Sequence, residues 1–144
     1  MGQPGPSITG AHVQSLSLSY RGDAGWSAPL PQALDSAQTL VLAFGASRLA
    51  PDAEPLCGLR AAFPQSLLLG CSTAGEIAGD AVSDDSLSLA VTRFDHTRLH
   101  LAQVEVADAS QSAAAGARLA QQLRAGGDDL CAVFVLSDGL RING

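Results

Sequence analysis

A chain of 144 residues that is 47% hydrophobic and 15% charged has room for one domain and enough apolar content for a core, which excludes a disordered tail. The formal net charge is −6, all eight bases are Arg, and no Lys occurs, so a Schiff-base or P-loop lysine is excluded. An acidic chain that is only 4% aromatic has neither the basic run nor the stacking platform of a nucleic-acid binder.

Residues 1–11, rich in Gly and Pro, read as a flexible lead-in to a domain over 12–144. No apolar stretch approaches the roughly 20 residues needed to cross a bilayer, so no membrane partner is expected. The start lacks the basic and apolar regions of a signal peptide. Leu16, Leu18 and Tyr20 alternate with serines, the pattern of a half-buried strand. Arg21-Gly-Asp23 has the composition of an adhesion tripeptide, but in this context it reads as a polar turn. A short helix is expected in the second half of 28–37. Leu40–Phe44 is a continuous apolar run, as in a strand covered on both faces. Asp52 is placed to cap a helix that buries Leu56, Leu59 and Phe63 and stops at Pro64. Leu67–Leu69 is a second buried run, so strand, helix and strand form a βαβ unit. Leu87, Leu89 and Val91, then Leu99 and Leu101, alternate with polar neighbours, which predicts an antiparallel hairpin turning at 94–97. Asp108 and Gln111 suit a capping box for a helix to about Ala125, burying Ala109, Ala113, Gly116, Ala120 and Leu123. Cys131–Leu136 reads as a third buried strand. The fold class is therefore α/β with a mixed sheet: buried, mainly parallel strands, an antiparallel hairpin and flanking helices. The last strand opens into a glycine-bearing turn without the helix that normally follows, so the chain is expected to be a piece of a longer protein, truncated at its carboxy end.

Two buried strands run into segments rich in Gly, Ser and acid, and in open α/β sheets ligands bind outside the carboxyl ends of the strands. After the second run come Gly70, Cys71, Ser72, Thr73, Gly75 and Glu76; after the third come Asp138 and Gly139. Gly70 and Gly75 allow close approach of the backbone, Ser72 and Thr73 supply hydroxyls, and Glu76 and Asp138 supply charge. The same segment also reads as a tight turn with local Ser/Thr capping. Cys71 could present a nucleophile, yet none of His12, His96 and His100 has a diagnostic spacing to it, and a small apolar residue at a strand end is the simpler reading. Cys57 and Cys131 look like core residues. The three cysteines are odd in number and widely spaced, which gives no disulfide framework and no CxxC metal site and makes a reducing cytoplasm the expectation. The histidines lack zinc-ligand spacing, so no metal site is expected, and Asp84-Asp85 reads as a solvated turn.

Gly70-Cys-Ser-Thr-Ala-Gly-Glu-Ile77 resembles the signature of FIST sensory domains, of which residues 12–144 would form the amino-terminal part, FIST N. Leu40–Phe44 with Gly45, the Pro-terminated helix, the Ser86–Phe94 strand and the Ser137-Asp-Gly…Asn-Gly144 turn extend the likeness. The resemblance implies a bacterial, intracellular module that is not an enzyme. It would bind a small amino-acid-like metabolite and regulate a histidine kinase, a chemoreceptor, or a diguanylate cyclase or phosphodiesterase. Some FIST proteins resemble haem-based nitric-oxide sensors, which implies haem b on His12, His96 or His100 as an alternative to having no cofactor. A thiol enzyme using Cys71 is a further alternative.

Overall fold

The computed structural model describes residues 13–127 and 129–138. The chain divides into two compact units, with the boundary between Leu99 and His100.

Among its described residues, the first unit has one α-helix and a five-stranded mixed sheet. Its strands are β1 (Val13–Arg21), β2 (Gly25–Trp26), β3 (Thr39–Ala46), β4 (Leu67–Thr73) and β7 (Ser86–Phe94), in the order β2-β1-β7-β3-β4. A separate two-stranded ribbon joins β5 (Glu76–Ala78) to β6 (Ala81–Ser83). Helix α1 (Glu54–Ala62) connects β3 to β4, and this pair is parallel, with Leu42 opposite Leu69 and Ala43 opposite Gly70. The expected βαβ unit is therefore present. Every other pairing is antiparallel, so the sheet is mixed but not mainly parallel.

Alternation places Leu18, Val41, Ala43, Leu87, Leu89 and Val91 on one face, where Leu34, Leu59, Ala62 and Phe63 complete the core. The apolar run of β3 also loads the other face: Leu40, Leu42 and Phe44, with Leu67 and Leu69 of β4, are half-buried there. The helix expected within 28–37 is only a single 3-10 turn, Gln32–Leu34, whose Leu34 reaches the core. Helix α1 starts one residue later than expected. Ala53 occupies the cap position and no side chain caps it, while the Asp52 carbonyl accepts a hydrogen bond from the Cys57 thiol. Cys57 is exposed on α1 and is not a core residue.

The hairpin predicted for 86–102 does not form. Both edges of β7 are occupied, by β1 (Ser17 opposite Ala90) and by β3 (Val41 opposite Val91), so no edge remains for Leu99 or Leu101. The antiparallel hairpins are instead β1–β2 and β5–β6.

In the second unit, a 3-10 turn (Ala109–Gln111) leads into α2 (Ser112–Ala125). The Asp108 carboxylate accepts from the Ser110 backbone N–H and hydroxyl, and those bonds hold its pKa below the ordinary aspartate value. Gln111 accepts from Ala107 and not from the Asp108 N–H, so the reciprocal box is incomplete. Only Ala115 of α2 is buried, and the predicted stripe of Ala109, Ala113, Gly116 and Ala120 is exposed, with Leu123 half-buried. Residues 131–136 form no strand, and Val133, Phe134 and Val135 are more than half exposed. Cys131, expected in a buried strand, is exposed as well. A buried strand needs a ladder partner, and among its described residues the second unit contains helical turns alone.

Candidate functional site

The strand directions define one functional edge of the first unit. Strand β1 runs antiparallel to β7, β7 antiparallel to β3, and β3 parallel to β4, so β1, β3 and β4 all deliver their carboxyl ends to the edge where β7 begins. Arg21 lies opposite Ser86, and Gly45 lies between Leu87 and Ser72.

At this edge the glycine-bearing segment is a strand and not a turn as far as Thr73. Cys71 and Ser72 are exposed on β4, paired with Phe44 and Gly45. Gly70 serves its own sheet: a Cβ there would sit 2.1 Å from the Ala43 carbonyl oxygen. Gly75 has ordinary space, with Asp84 Oδ1 3.5 Å from the corresponding point.

Glu76 is 2% exposed, and both of its carboxylate oxygens are engaged. The Thr73 hydroxyl donates to Oε1 at 2.7 Å; the Ser86 backbone N–H and hydroxyl donate to Oε2 at 3.0 and 2.9 Å. The Ser83 hydroxyl lies 3.0 Å from that of Ser86 and extends the chain of bonds. Burial by itself raises the Glu76 pKa, but the bonds from Thr73 and Ser86, helped by the charge of Arg48, outweigh it and leave the carboxyl below the ordinary glutamate value. Glu76 is therefore a charged clamp that ties the β5–β6 ribbon to the ends of β4 and β7. The Ser88 hydroxyl adds a second tie, to the Ile77 carbonyl at 2.7 Å.

Above the clamp lies an open cleft of about 460 Å³. One wall is Tyr20 with the 21–24 turn, closed by a hydrogen bond from Ala24 N–H to the Arg21 carbonyl. Arg48 and Leu49, just past β3, form the second wall, and the 83–86 turn forms the third. Asp85 has φ of 60°, a left-handed conformation that Asp tolerates better than most residues, and its carboxylate meets Arg48 Nε at 2.7 Å. Both partners are more than half exposed, so the ion pair contributes at most about 1 kcal/mol. In sequence, Arg21, Asp23, Asp84 and Asp85 read as ordinary turn residues, and Arg48 carries no signal. What joins them is the register that sets Arg21 beside Ser86, which no local pattern encodes.

A family model for the FIST N domain matches residues 39–144, well over half of the chain. The chain belongs to the FIST N family. FIST domains are sensory domains of signalling proteins. No curated protein and no solved structure matches the chain.

In this FIST N domain the remaining predicted residues are none of the clamp's hydrogen-bond partners. Asp138 is an exposed residue of the second unit, and Gly139 and His12 lie outside the described residues. His96 is exposed on the bend that follows β7, and His100 is exposed in the second unit with its imidazole against Gly126. His96 is not among the residues that line the cleft. Cys71 is a free, exposed cysteine, and among the described residues no group of three or more His, Cys, Asp or Glu is arranged to hold a metal ion. No helix among them is long and apolar enough to cross a membrane.

Proposed function

We propose that this FIST N domain is the non-catalytic ligand-sensing module of a cytoplasmic signalling protein. It binds a small amino-acid-like metabolite and regulates a partner such as a histidine kinase, a chemoreceptor, or a diguanylate cyclase or phosphodiesterase. The observation that carries this reading is membership of the FIST N family over residues 39–144. The geometry supports it in one respect: a rigid sheet presents polar, solvent-accessible loops at its carboxyl edge, the arrangement in which α/β domains hold small molecules. The contacts proposed from the glycine-bearing segment divide by accessibility. Cys71 and Ser72 are open to solvent at that edge, whereas Thr73 and Glu76 act through the turn they anchor. Preferential binding to one state of this edge would bias the attached output.

A thermal-shift screen of the full chain against the common L-amino acids and their decarboxylated and deaminated analogues tests the reading. At 100-fold excess over Kd a true ligand adds about 2.7 kcal/mol of stability. At least one compound is expected to raise Tm saturably; a flat response across the whole panel contradicts the proposal.

A further inference from the structure

The charges around the cleft are specific enough to describe an occupant. Three carboxylates, Asp23, Asp84 and Asp85, line the cleft together with two guanidinium groups, Arg21 and Arg48. Arg48 and Asp85 already satisfy each other at 2.7 Å. Among the described residues, Arg21, Asp23 and Asp84 make no ion pair, which leaves one positive and two negative groups for a ligand. Tyr20 and Leu49 add an aromatic and an aliphatic surface to the same walls. None of these residues belongs to the glycine-bearing segment, yet Ser86 contributes to both the cleft and the Glu76 clamp.

We propose that this cleft is the ligand site and that it selects a small molecule with one carboxylate and two cationic nitrogens joined by a methylene chain, the charge pattern of a basic amino acid. This rests on the ligand-sensing reading above and gives it a place and a chemistry. Arg21 takes the carboxylate through the paired N–H groups of its guanidinium. Asp23 and Asp84 take the two cationic ends, and Leu49 and Tyr20 pack along the methylenes, as apolar surfaces do for the stems of long cationic side chains. The volume of about 460 Å³ lies within the range of small-molecule pockets. The chain's net charge of −6 raises the local concentration of a cationic ligand.

Isothermal titration of the full chain with L-lysine, L-arginine, L-leucine, L-glutamate and cadaverine tests the assignment. L-lysine or L-arginine is expected to bind at least about tenfold more tightly than L-leucine or L-glutamate, the effect of one charge-assisted hydrogen bond. Arg21→Gln should weaken L-lysine by about tenfold or more without weakening cadaverine, which has no carboxylate. Asp84→Asn should weaken both. Arg21 and Asp84 are exposed, so these variants keep the fold. If L-leucine binds as tightly as L-lysine and both variants retain full affinity, the cleft assignment is overturned while ligand sensing stands. It is likewise overturned if a compound from the thermal-shift panel binds but neither basic amino acid does. A panel with no ligand at all removes the sensing reading itself.

Discussion

Gly70→Ala is expected to destabilise the first unit by about 3 kcal/mol or more, at or beyond the upper end of the usual range for overpacking. The added methyl would lie 2.1 Å from the Ala43 carbonyl oxygen and 3.0 Å from its carbonyl carbon. Those are main-chain atoms held in the sheet by the β3–β4 and β3–β7 ladders, so no side chain can rotate away to make room. Relief requires β4 to separate from β3, and that separation would uncover Val41 and Leu59, both fully buried. Gly75→Ala is the matched control. Its methyl would meet Asp84 Oδ1 at 3.5 Å, an ordinary contact, and a change within about 0.5 kcal/mol is expected. Urea denaturation of the two variants checks the contrast. Equal loss in both would mean that the segment needs its glycines for turn conformation and not for close approach of strands.

Replacement of Glu76 gives the second large effect, with a pH signature. Glu76→Ala leaves the Ser86 N–H and hydroxyl without their acceptor in a buried setting, and the Thr73 hydroxyl with only the Gly45 carbonyl at 3.4 Å, at an expected cost of about 2–4 kcal/mol. Glu76→Gln retains the shape and one carbonyl oxygen, but its amide donors face other donors, and about 1–2 kcal/mol is expected. The folded-state pKa of Glu76 is lowered, so the carboxylate's contribution is fully present above the ordinary glutamate value and is lost as the pH falls through the lowered one. The stability difference between the parent chain and Glu76→Gln should therefore be largest near neutrality and shrink on acidification below the ordinary glutamate range. Chemical denaturation at a series of pH values measures this dependence. A difference that grows as the pH falls would rule out the clamp.

The parts of the fold that are legible in the sequence are those governed by local periodicity. The serine alternation of β1, the apolar run of β3 and the alternation of β7 each mark a strand because side-chain direction repeats every two residues. The βαβ unit follows from order and length. Pairing is not legible where it depends on which edges are already taken. Leu99 and Leu101 alternate as well as Leu87 and Leu89 do, but β1 and β3 fill both sides of β7. Composition also misleads at Gly70–Thr73, because glycine is required both by turns and by crowded strands, and only the position of the Ala43 carbonyl separates the two. The site is half legible. Glu76 stands out in the sequence as an important charge, though its role is to anchor the ribbon from within. The cleft above it is built from Arg21, Arg48 and the 83–86 turn, whose meeting depends on strand register across the whole sheet.

Whether the carboxyl edge held by Glu76 carries the ligand site can be read residue by residue. Amide chemical shifts of the uniformly labelled full chain, followed during titration with L-lysine, provide that reading. Saturable shifts centred on residues 20–24, 48–49 and 83–86 are expected, with a smaller response at the amide of Glu76. Shifts confined to residues 100–138, or an unchanged spectrum at millimolar L-lysine, would refute the placement of the site at this edge.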